Sequence, residues 1–188
     1  MNTLLIIYGE VGSGKTTTAE HLMRRVIAEG YEVGGILSLR VIKNEETIGY
    51  DAYNVRNESR FPIARLYNVE MDDDWDTSDG LKYVFSRKGI QACNMALKKE
   101  ANMLNRNTVI FFDEFGHLEQ KKKGMYPGLM SLRESPNQKD VLIVMCRTNK
   151  VDNVIQFFEE TDSKILTVHA RQEKIYESML RQVPKSPI

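Results

Sequence analysis

A glycine-rich segment near the start of the chain constrains the fold more than any other feature of the sequence. Residues 9–16 read GEVGSGKT and fit the pattern G-x-x-x-x-G-K-[ST]. They follow the unbroken apolar run TLLIIY at 3–8, which is typical of a strand buried on both faces of a parallel sheet. Apolar residues then recur at helical spacing up to Gly30, which predicts a helix over 15–29. A strand, a glycine-rich loop and a helix in this order indicate a phosphate-binding loop.

The residues of this loop are suited to binding a triphosphate. Gly12 and Gly14 allow the backbone to turn tightly, so that successive N–H groups point at the anion. The helix that follows adds the positive end of its dipole. The predicted nucleotide-binding residues of the loop are Gly9, Glu10, Val11, Gly12, Ser13, Gly14, Lys15, Thr16 and Thr17.

Three side chains at the end of the loop have separate expected roles. Lys15 is expected to reach the β- and γ-phosphates and to act in catalysis, because its ammonium group neutralises charge on the transferred phosphoryl group. The Thr16 hydroxyl is expected to ligate Mg²⁺, and Thr17 to contact the α-phosphate. The sequence therefore predicts a nucleoside triphosphate (NTP) as ligand and Mg²⁺ as cofactor.

Strands and helices alternate along the rest of the chain. VGGILSLRVI and TIGYDAYNV flank the polar turn 43–46 and predict a hairpin. The acidic stretch 70–79 predicts a loop, and the polar segment 117–128 predicts a mobile loop suited to be a lid. The other predicted elements are helices over 90–104, 151–160 and 171–183, and strands over 108–114, 141–146 and 164–168.

This alternation predicts the fold class. We expect an α/β, three-layer P-loop NTPase fold of the RecA/ASCE type, in a single domain over 1–188. Its sheet is expected to be mainly parallel, with helices on both faces and one inserted β-hairpin. In such a sheet the ligand binds at the carboxyl ends of the strands.

Two acids end the predicted strand TVIFFDE, which is expected to deliver them to the sheet edge beside the first strand. Asp113 is expected to hold Mg²⁺, directly or through water. Glu114 suits an NTP-hydrolysing enzyme, because hydrolysis needs a carboxylate that orients or deprotonates the attacking water. The alternative for Glu114 is a solvated acid in a loop after a buried strand.

Two short sequence motifs leave the selectivity for the nucleotide base open. DEFG at 113–116 fits the DxxG of regulatory GTPases, and NKVD at 149–152 fits their guanine-reading NKxD. Asp152 would then accept hydrogen bonds from guanine and select GTP. The other interpretation is a helix that begins at Val151 and carries an aspartate near its positive end.

Several cationic side chains also allow two interpretations. Arg147 follows the third buried strand and is a candidate nucleotide contact, as an arginine finger supplied in cis, or else a member of a surface ion pair. The lysines at 121–123 form either a solvated run or a basic flap that closes over the triphosphate. His117 and His169 have no partners at metal-ligand spacing, which favours solvated or locally hydrogen-bonded rings.

The composition limits the classes of partner. Lys plus Arg (26) equals Asp plus Glu (26), so the net charge does not indicate a nucleic-acid partner, and no protein partner is predicted. Cys93 and Cys146 lie in apolar segments without other ligands nearby, which is typical of reduced, buried thiols. The apolar run at 4–8 is too short for a membrane span or a signal peptide. We therefore expect a cytoplasmic protein without a membrane partner.

With both motifs in place, the chain resembles the small nucleoside-triphosphatase family that includes a human cancer-related member and members from thermophiles. The resemblance extends over nearly the whole chain. Besides GEVGSGKTT, it rests on GGILSLRV, TIGY, LKYVF, DEFGHLE and TVHARQ. It places Glu119 on the third acid of the family motif and Arg171 on a family arginine, which makes Arg171 a candidate nucleotide-binding residue. It implies slow, magnesium-dependent hydrolysis of several NTPs.

The chain departs from the family at three places. Arg40 stands where the family has glutamate, Glu46 and Thr47 where it has a basic pair, and Ala170 where it has asparagine. The expected activity is hydrolysis of ATP or GTP to NDP and phosphate with weak base selection. Two other classes stay open: a nucleotide-driven switch or motor-like protein, and a small-molecule kinase. The kinase is less favoured, because the segment 117–128 carries lysines and no arginine.

Overall fold

The computed structural model describes residues 3–67, 74–76, 82–103, 107–135 and 141–171. The strands are β1 (Thr3–Tyr8), β2 (Glu32–Lys43), β3 (Glu46–Asn54), β4 (Arg60–Leu66), β5 (Trp75–Asp76), β6 (Tyr83–Ser86), β7 (Thr108–Phe115), β8 (Val141–Cys146) and β9 (Lys164–His169). The helices are α1 (Lys15–Ala28), α2 (Arg87–Asn102), α3 (His117–Gln120), α4 (Tyr126–Arg133) and α5 (Val151–Phe158). A 3₁₀ turn at Thr148–Lys150 precedes α5.

The described strands form one sheet in the order β5-β6-β4-β3-β2-β7-β8-β1-β9. Strands β2, β7, β8, β1 and β9 pair in parallel, and β3, β4, β6 and β5 extend the sheet from β2 by antiparallel pairing. The expectation that the acidic strand lies beside the first strand is wrong, because β8 lies between β1 and β7. The two strands are still near enough for their following residues to share one site.

Both faces of the sheet are covered, which explains why β1 reads as an unbroken apolar run. Leu5 and Ile7 pack with α1, whereas Leu4 and Ile6 belong to the core on the opposite face with residues of α2, α4 and α5. Helix α1 contributes its buried Ala19, Leu22 and Val26. The predicted three-layer, mainly parallel α/β fold is confirmed.

The predicted hairpin is formed by β2 and β3, but the antiparallel part of the molecule is larger than expected. Strands β4 and β6 were not predicted, and Trp75 and Asp76 form the short strand β5 where the sequence predicted a loop. Backbone hydrogen bonds between β5 and β6 stabilise this edge despite its polar sequence. Except for the short stretch 74–76, the predicted loop over 70–79 lies outside the described residues. So does the predicted helix over 171–183, except for Arg171.

The segment 117–128 is not the irregular loop that was predicted. It contains the one-turn helix α3 and the start of α4. The buried carboxylate of Glu119 accepts hydrogen bonds from the backbone N–H groups of Gly116 (3.0 Å) and Met125 (3.1 Å) and so ties the two ends of the turn together. The lysines at 121–123 lie in the exposed connection between α3 and α4.

Gly35 determines how closely β2 approaches β7. Its φ is +99°, and a Cβ atom at this position would lie 2.0 Å from the carbonyl oxygen of Phe111. A side chain here is therefore excluded by both backbone conformation and space. This close pairing places the second half of β2 beside the acids that end β7.

Candidate active site

The phosphate loop has the predicted strand–loop–helix geometry. Gly12 and Gly14 have φ values of +78° and +90°, which L-residues with side chains rarely adopt. Gly14 caps α1 without a side-chain hydrogen bond, so the first N–H groups of α1 have no side-chain cap. An anion at this helix N-terminus is stabilised by those N–H groups and by the helix dipole.

The Lys15 side chain folds back over the loop. Its Nζ donates to the carbonyl oxygens of Gly9 (2.7 Å) and Glu10 (2.9 Å). Partial burial lowers the pKa of Lys15, and the nearby carboxylates of Asp113 and Glu114 partly oppose that change. Phosphate oxygens are stronger acceptors for an ammonium group than these carbonyls. Lys15 is thus held at the position where a triphosphate would bind.

Ser13 carries the one buried side-chain oxygen or nitrogen atom among the described residues that has no hydrogen-bond partner. The Ser13 hydroxyl lies against Gly9, where an added Cβ would approach it to 2.4 Å. The His169 ring lies on the other side of this position and packs edge-on against Tyr8. A buried hydroxyl without a partner is costly, and a bound phosphate is one group that would satisfy it.

Thr16 and Asp113 meet as predicted. The Thr16 hydroxyl donates to Asp113 Oδ2 at 3.1 Å, and the backbone N–H of Ser38 donates to the same oxygen at 3.2 Å. Asp113 is only 1% exposed, and burial, reinforced by the charge of Glu114, raises its pKa to about 7. A Mg²⁺ ion would favour its ionised form.

The donors at this position fit Mg²⁺. A hydroxyl and one carboxylate, completed by phosphate oxygens and water, are typical of magnesium sites in NTP-binding proteins. No cluster of three or more His, Cys, Asp or Glu that would hold a metal without a nucleotide occurs in the part of the chain that the structure describes. With Thr16 and Asp113 as its protein donors, the site suits a metal ion whose other ligands are phosphate oxygens and water.

A β-bulge at the end of β7 places the side chains of Asp113 and Glu114 in different surroundings. Phe112 pairs with Val144 and Phe115 with Cys146, so two residues of β7 oppose one residue of β8. As a result, Phe112 and Phe115 lie in the same core although they are three residues apart. Asp113 faces α1, and Glu114 adopts a φ of +67°. The bulge places Glu114 in the cleft rather than in the core.

The Glu114 carboxyl group is exposed to the cleft but surrounded by protein atoms. This desolvation raises the pKa of Glu114, and the positive charges of Arg147, Lys15 and Arg40 oppose the rise. A carboxylate with a raised pKa is a better proton acceptor than a fully solvated one. Its position at the end of β7, one residue after Asp113, suits contact with a water molecule at the γ-phosphate.

The cleft around these residues has a volume of about 650 Å³. Arg147 lies on its wall. Arg40, Tyr50 and Lys150 line it as well, although no motif in the sequence assigns them to the site. Arg40 was noted only as a departure from a family pattern. Its proximity to Glu114 depends on the pairing of β2 with β7, which no motif in the sequence reveals.

Two other predicted contacts lie away from this wall. Asp152 is exposed in the first turn of α5 and does not line the cleft, although Asn149 and Lys150 just before it do. Arg171 follows β9, and its backbone N–H donates to His169 Nδ1 at 3.3 Å. His117 is exposed and lines the cleft.

A mainly parallel sheet with helices on both faces, a phosphate loop after β1 and an acid pair at the carboxyl end of β7 define the class of this protein as the P-loop NTPases. The sequence matches the model of the NTPase family over residues 4–180, and the chain belongs to this family. It is therefore an enzyme that hydrolyses nucleoside triphosphates.

Solved structures agree on the fold. The solution structure of a human cancer-related nucleoside triphosphatase matches with a TM-score of 0.72 and 16% sequence identity, over 100% of this chain and 99% of that one. The crystal structure of THEP1 from the hyperthermophile Aquifex aeolicus matches with a TM-score of 0.65 and 15% identity, over 98% of this chain and 100% of that one. No curated protein shows significant sequence similarity. Among the described residues, no helix is long and apolar enough to cross a membrane.

Proposed function

We propose that the protein hydrolyses ATP and GTP to NDP and phosphate in a magnesium-dependent reaction with weak base selection. The observation that carries this proposal is the contact between Thr16 and Asp113, with Glu114 beside it in the same cleft. A metal-binding pair and a separate carboxylate next to the phosphate loop are the groups that hydrolysis requires.

The chain's own groups would act as follows. The loop amides and Lys15 bind the phosphates, while Thr16 and Asp113 hold the ion, which when bound neutralises charge on the β- and γ-phosphates. Glu114 orients a water molecule and takes its proton as the water oxygen bonds to the γ-phosphorus. The bond from that phosphorus to the β–γ bridging oxygen breaks, and NDP leaves. Arg147 stabilises charge on the transferred group.

The exposure of the site supports slow turnover. Arg147 is exposed, so water solvates its guanidinium group and weakens the electrostatic stabilisation that it gives to a transition state. The position of Asp152 supports weak base selection, because an aspartate outside the cleft makes no contact with a bound base there.

The free thiols support a cytoplasmic location. Cys93 and Cys146 are buried and unpaired, and burial raises the pKa of each thiol to about 12. Unreactive, reduced cysteines are typical of proteins in a reducing compartment.

The proposal is tested by measuring phosphate release from ATP, GTP, CTP and UTP, each with Mg²⁺ and with EDTA. We expect release from all of them with Mg²⁺, rates within about tenfold of one another, and loss of activity in EDTA. Equal release with EDTA would contradict the magnesium site. Strong GTP selectivity that is lost in Asp152→Ala would contradict weak base selection and assign Asp152 to guanine.

A further inference from the structure

A second cavity, of about 570 Å³, lies between β6, α2 and the α3–α4 region. Phe85, Ile90, Leu118 and Pro127 contribute to its walls. Its size is in the range that holds a small organic molecule. The hydrolysis described above makes no use of this β6–α2–α4 cavity.

The β6–α2–α4 cavity adjoins the phosphate cleft. Tyr83, Phe85, Ile90 and Leu118 line both spaces. The Tyr83 ring packs edge-on against Tyr50, with 5.5 Å between the ring centroids, and Tyr50 lines the phosphate cleft together with Glu114. A molecule in the cavity thus lies next to the nucleotide site, along a boundary formed by residues that line both spaces.

The strand order places this cavity on the γ-phosphate side of the nucleotide site. From the phosphate loop after β1, the sheet runs through β8, β7 and β2 towards β6 on one side, and ends with β9 on the other. Glu114 lies near the carboxyl end of β7, so the terminal phosphate must point in the β7 direction to meet it. The cavity beside β6 lies farther along the same direction, beyond the terminal phosphate.

The lining indicates the chemical class of the ligand. Phe85, Met95 and Pro127 supply apolar surface, which suits a hydrocarbon or aromatic body. Arg87, Lys98 and Lys123 supply positive charge, against Asp76 in the described lining and Asp74 near Arg87. An anionic group on the ligand would be favoured by this excess of positive charge.

Two cationic groups of the phosphate cleft suit transfer of a phosphoryl group. Arg40 and Arg147 line the phosphate cleft, and no hydrogen bond or ion pair engages either side chain among the described residues. The segment 117–128 lacks arginine, but these two residues from β2 and the end of β8 provide guanidinium groups near Glu114. Such groups stabilise the charge of a phosphoryl group in transit.

We propose that the β6–α2–α4 cavity binds a phosphoryl acceptor, a small molecule with an apolar body, an anionic group and a hydroxyl group directed at the γ-phosphate. The proposal rests on the nucleotide site and the role of Glu114 in the proposed function. The hydroxyl oxygen bonds to the γ-phosphorus, the bond to the β–γ bridging oxygen breaks, and NDP leaves. Glu114 takes the hydroxyl proton and passes it to solvent. Hydrolysis is then the reaction with water in the acceptor's place.

The test measures NDP and free phosphate in the same sample, with ATP, Mg²⁺ and an excess of acceptor probe. The probes are 4-(hydroxymethyl)benzoate and homologues with longer alkyl chains between ring and hydroxyl. 4-Methylbenzoate, which lacks the hydroxyl, is the control. We expect NDP to exceed phosphate with a hydroxyl probe, a phosphate ester of that probe by mass spectrometry, and equal amounts with the control. Equal NDP and phosphate with every probe would overturn the proposal.

A cavity-filling variant tests whether the transfer uses the cavity. Gln91 is exposed on α2, lines the cavity and does not line the phosphate cleft. In Gln91→Trp we expect the excess of NDP to fall by about tenfold, with acceptor-free phosphate release within about twofold of the parent. Lys99→Trp, an exposed site on α2 outside both spaces, is the matched control and should keep the excess.

These measurements distinguish failure of the acceptor proposal from failure of the proposed hydrolysis. An excess of NDP that persists in Gln91→Trp would show that transfer does not use this cavity, and would overturn the inference. Phosphate release in the absence of any probe reports hydrolysis alone. Its loss in the parent would contradict the proposed function, whatever the result with the acceptor probes.

Discussion

Glu114 holds a backbone conformation that is unfavourable for a residue with a side chain. Its φ of +67° occurs where the β7 bulge turns the chain out of the sheet, and it is one of the few non-glycine residues with a positive φ among those described. Strain of this kind costs on the order of 1–3 kcal/mol and persists where the surrounding structure fixes it, often at functional sites. The position thus trades stability for the placement of a carboxylate.

This strain predicts an unusual order of stability. Glu114→Gly should unfold at a higher urea concentration than Glu114→Ala, with a difference of about 1 kcal/mol in the free energy of unfolding, because glycine adopts this φ without penalty. In helices and strands glycine is normally the less stable of the two. Equal stability, or a more stable alanine variant, would show that Glu114 is not strained.

The ionised carboxylate of Asp113 lowers the stability of the fold, although the proposed activity needs it. Its pKa is raised from 3.8 to about 7, so between these values the folded protein keeps a proton that the unfolded chain has lost. The free energy of unfolding contributed by Asp113 therefore falls as pH rises from about 4 to about 7. Asp113→Asn removes the ionisable group, so the free energy of unfolding no longer falls with pH on its account.

We expect Asp113→Asn to be more stable than the parent at pH 8, by about 1–3 kcal/mol in the absence of nucleotide, and to hydrolyse NTP at least about 100-fold more slowly. The stability difference should shrink between pH 8 and pH 5. Urea denaturation at several pH values measures it. A variant that is less stable than the parent at pH 8 would contradict the cost assigned to the buried charge.

At the scale of elements, the pairing of β2 with β7 positions much of the site. It brings the Ser38 N–H to Asp113 and places Arg40 near Glu114. The pairing is close only because Gly35 has no side chain, since a Cβ atom would lie 2.0 Å from the carbonyl oxygen of Phe111. Gly35 thus determines the distance between β2 and the acids of β7.

Gly35→Ala should therefore lower the free energy of unfolding by at least about 2 kcal/mol, through both the clash and the positive φ. Gly116→Ala is the matched control. An added Cβ there makes only ordinary contact, at 3.5 Å, and the backbone at Gly116 is extended. Thermal or urea unfolding compares the two variants. A Gly35→Ala protein as stable as Gly116→Ala would contradict the close approach.

The elements that were predictable from the sequence are those with a strong local signal. β1, β8 and α1 carry apolar patterns and turn residues that specify them without long-range contacts. β4 and β6 do not carry such a signal, because they are stabilised by pairing with neighbouring strands rather than by a pattern of their own. α3 was missed because it is a single turn, closed by hydrogen bonds to Glu119 rather than by apolar periodicity.

The same division applies to the site. Gly14, Lys15 and Thr16 were predictable because they are neighbours in one motif. Arg40 and Tyr50 were not, because they reach the cleft through the strand order alone. The β7 bulge was also invisible in the sequence, although the acid pair that it separates was predicted.

In the molecule as a whole, one sheet borders both the phosphate cleft and the β6–α2–α4 cavity. The β1–α1 side supplies amides and Lys15 for phosphates, and the antiparallel extension supplies Tyr50, Tyr83 and the boundary of a second cavity. Glu114 lines the phosphate cleft on the side towards that extension. We propose that it is the base that acts on the attacking nucleophile.

The most direct test of this claim compares Glu114→Gln with the parent in two measurements on the same samples: the affinity for ATP with Mg²⁺ and the rate of phosphate release. We expect an affinity within about threefold of the parent and a rate at least about 100-fold lower, because the amide fills the same space but cannot take a proton. Binding unchanged and phosphate released at the parental rate would contradict the assignment of Glu114.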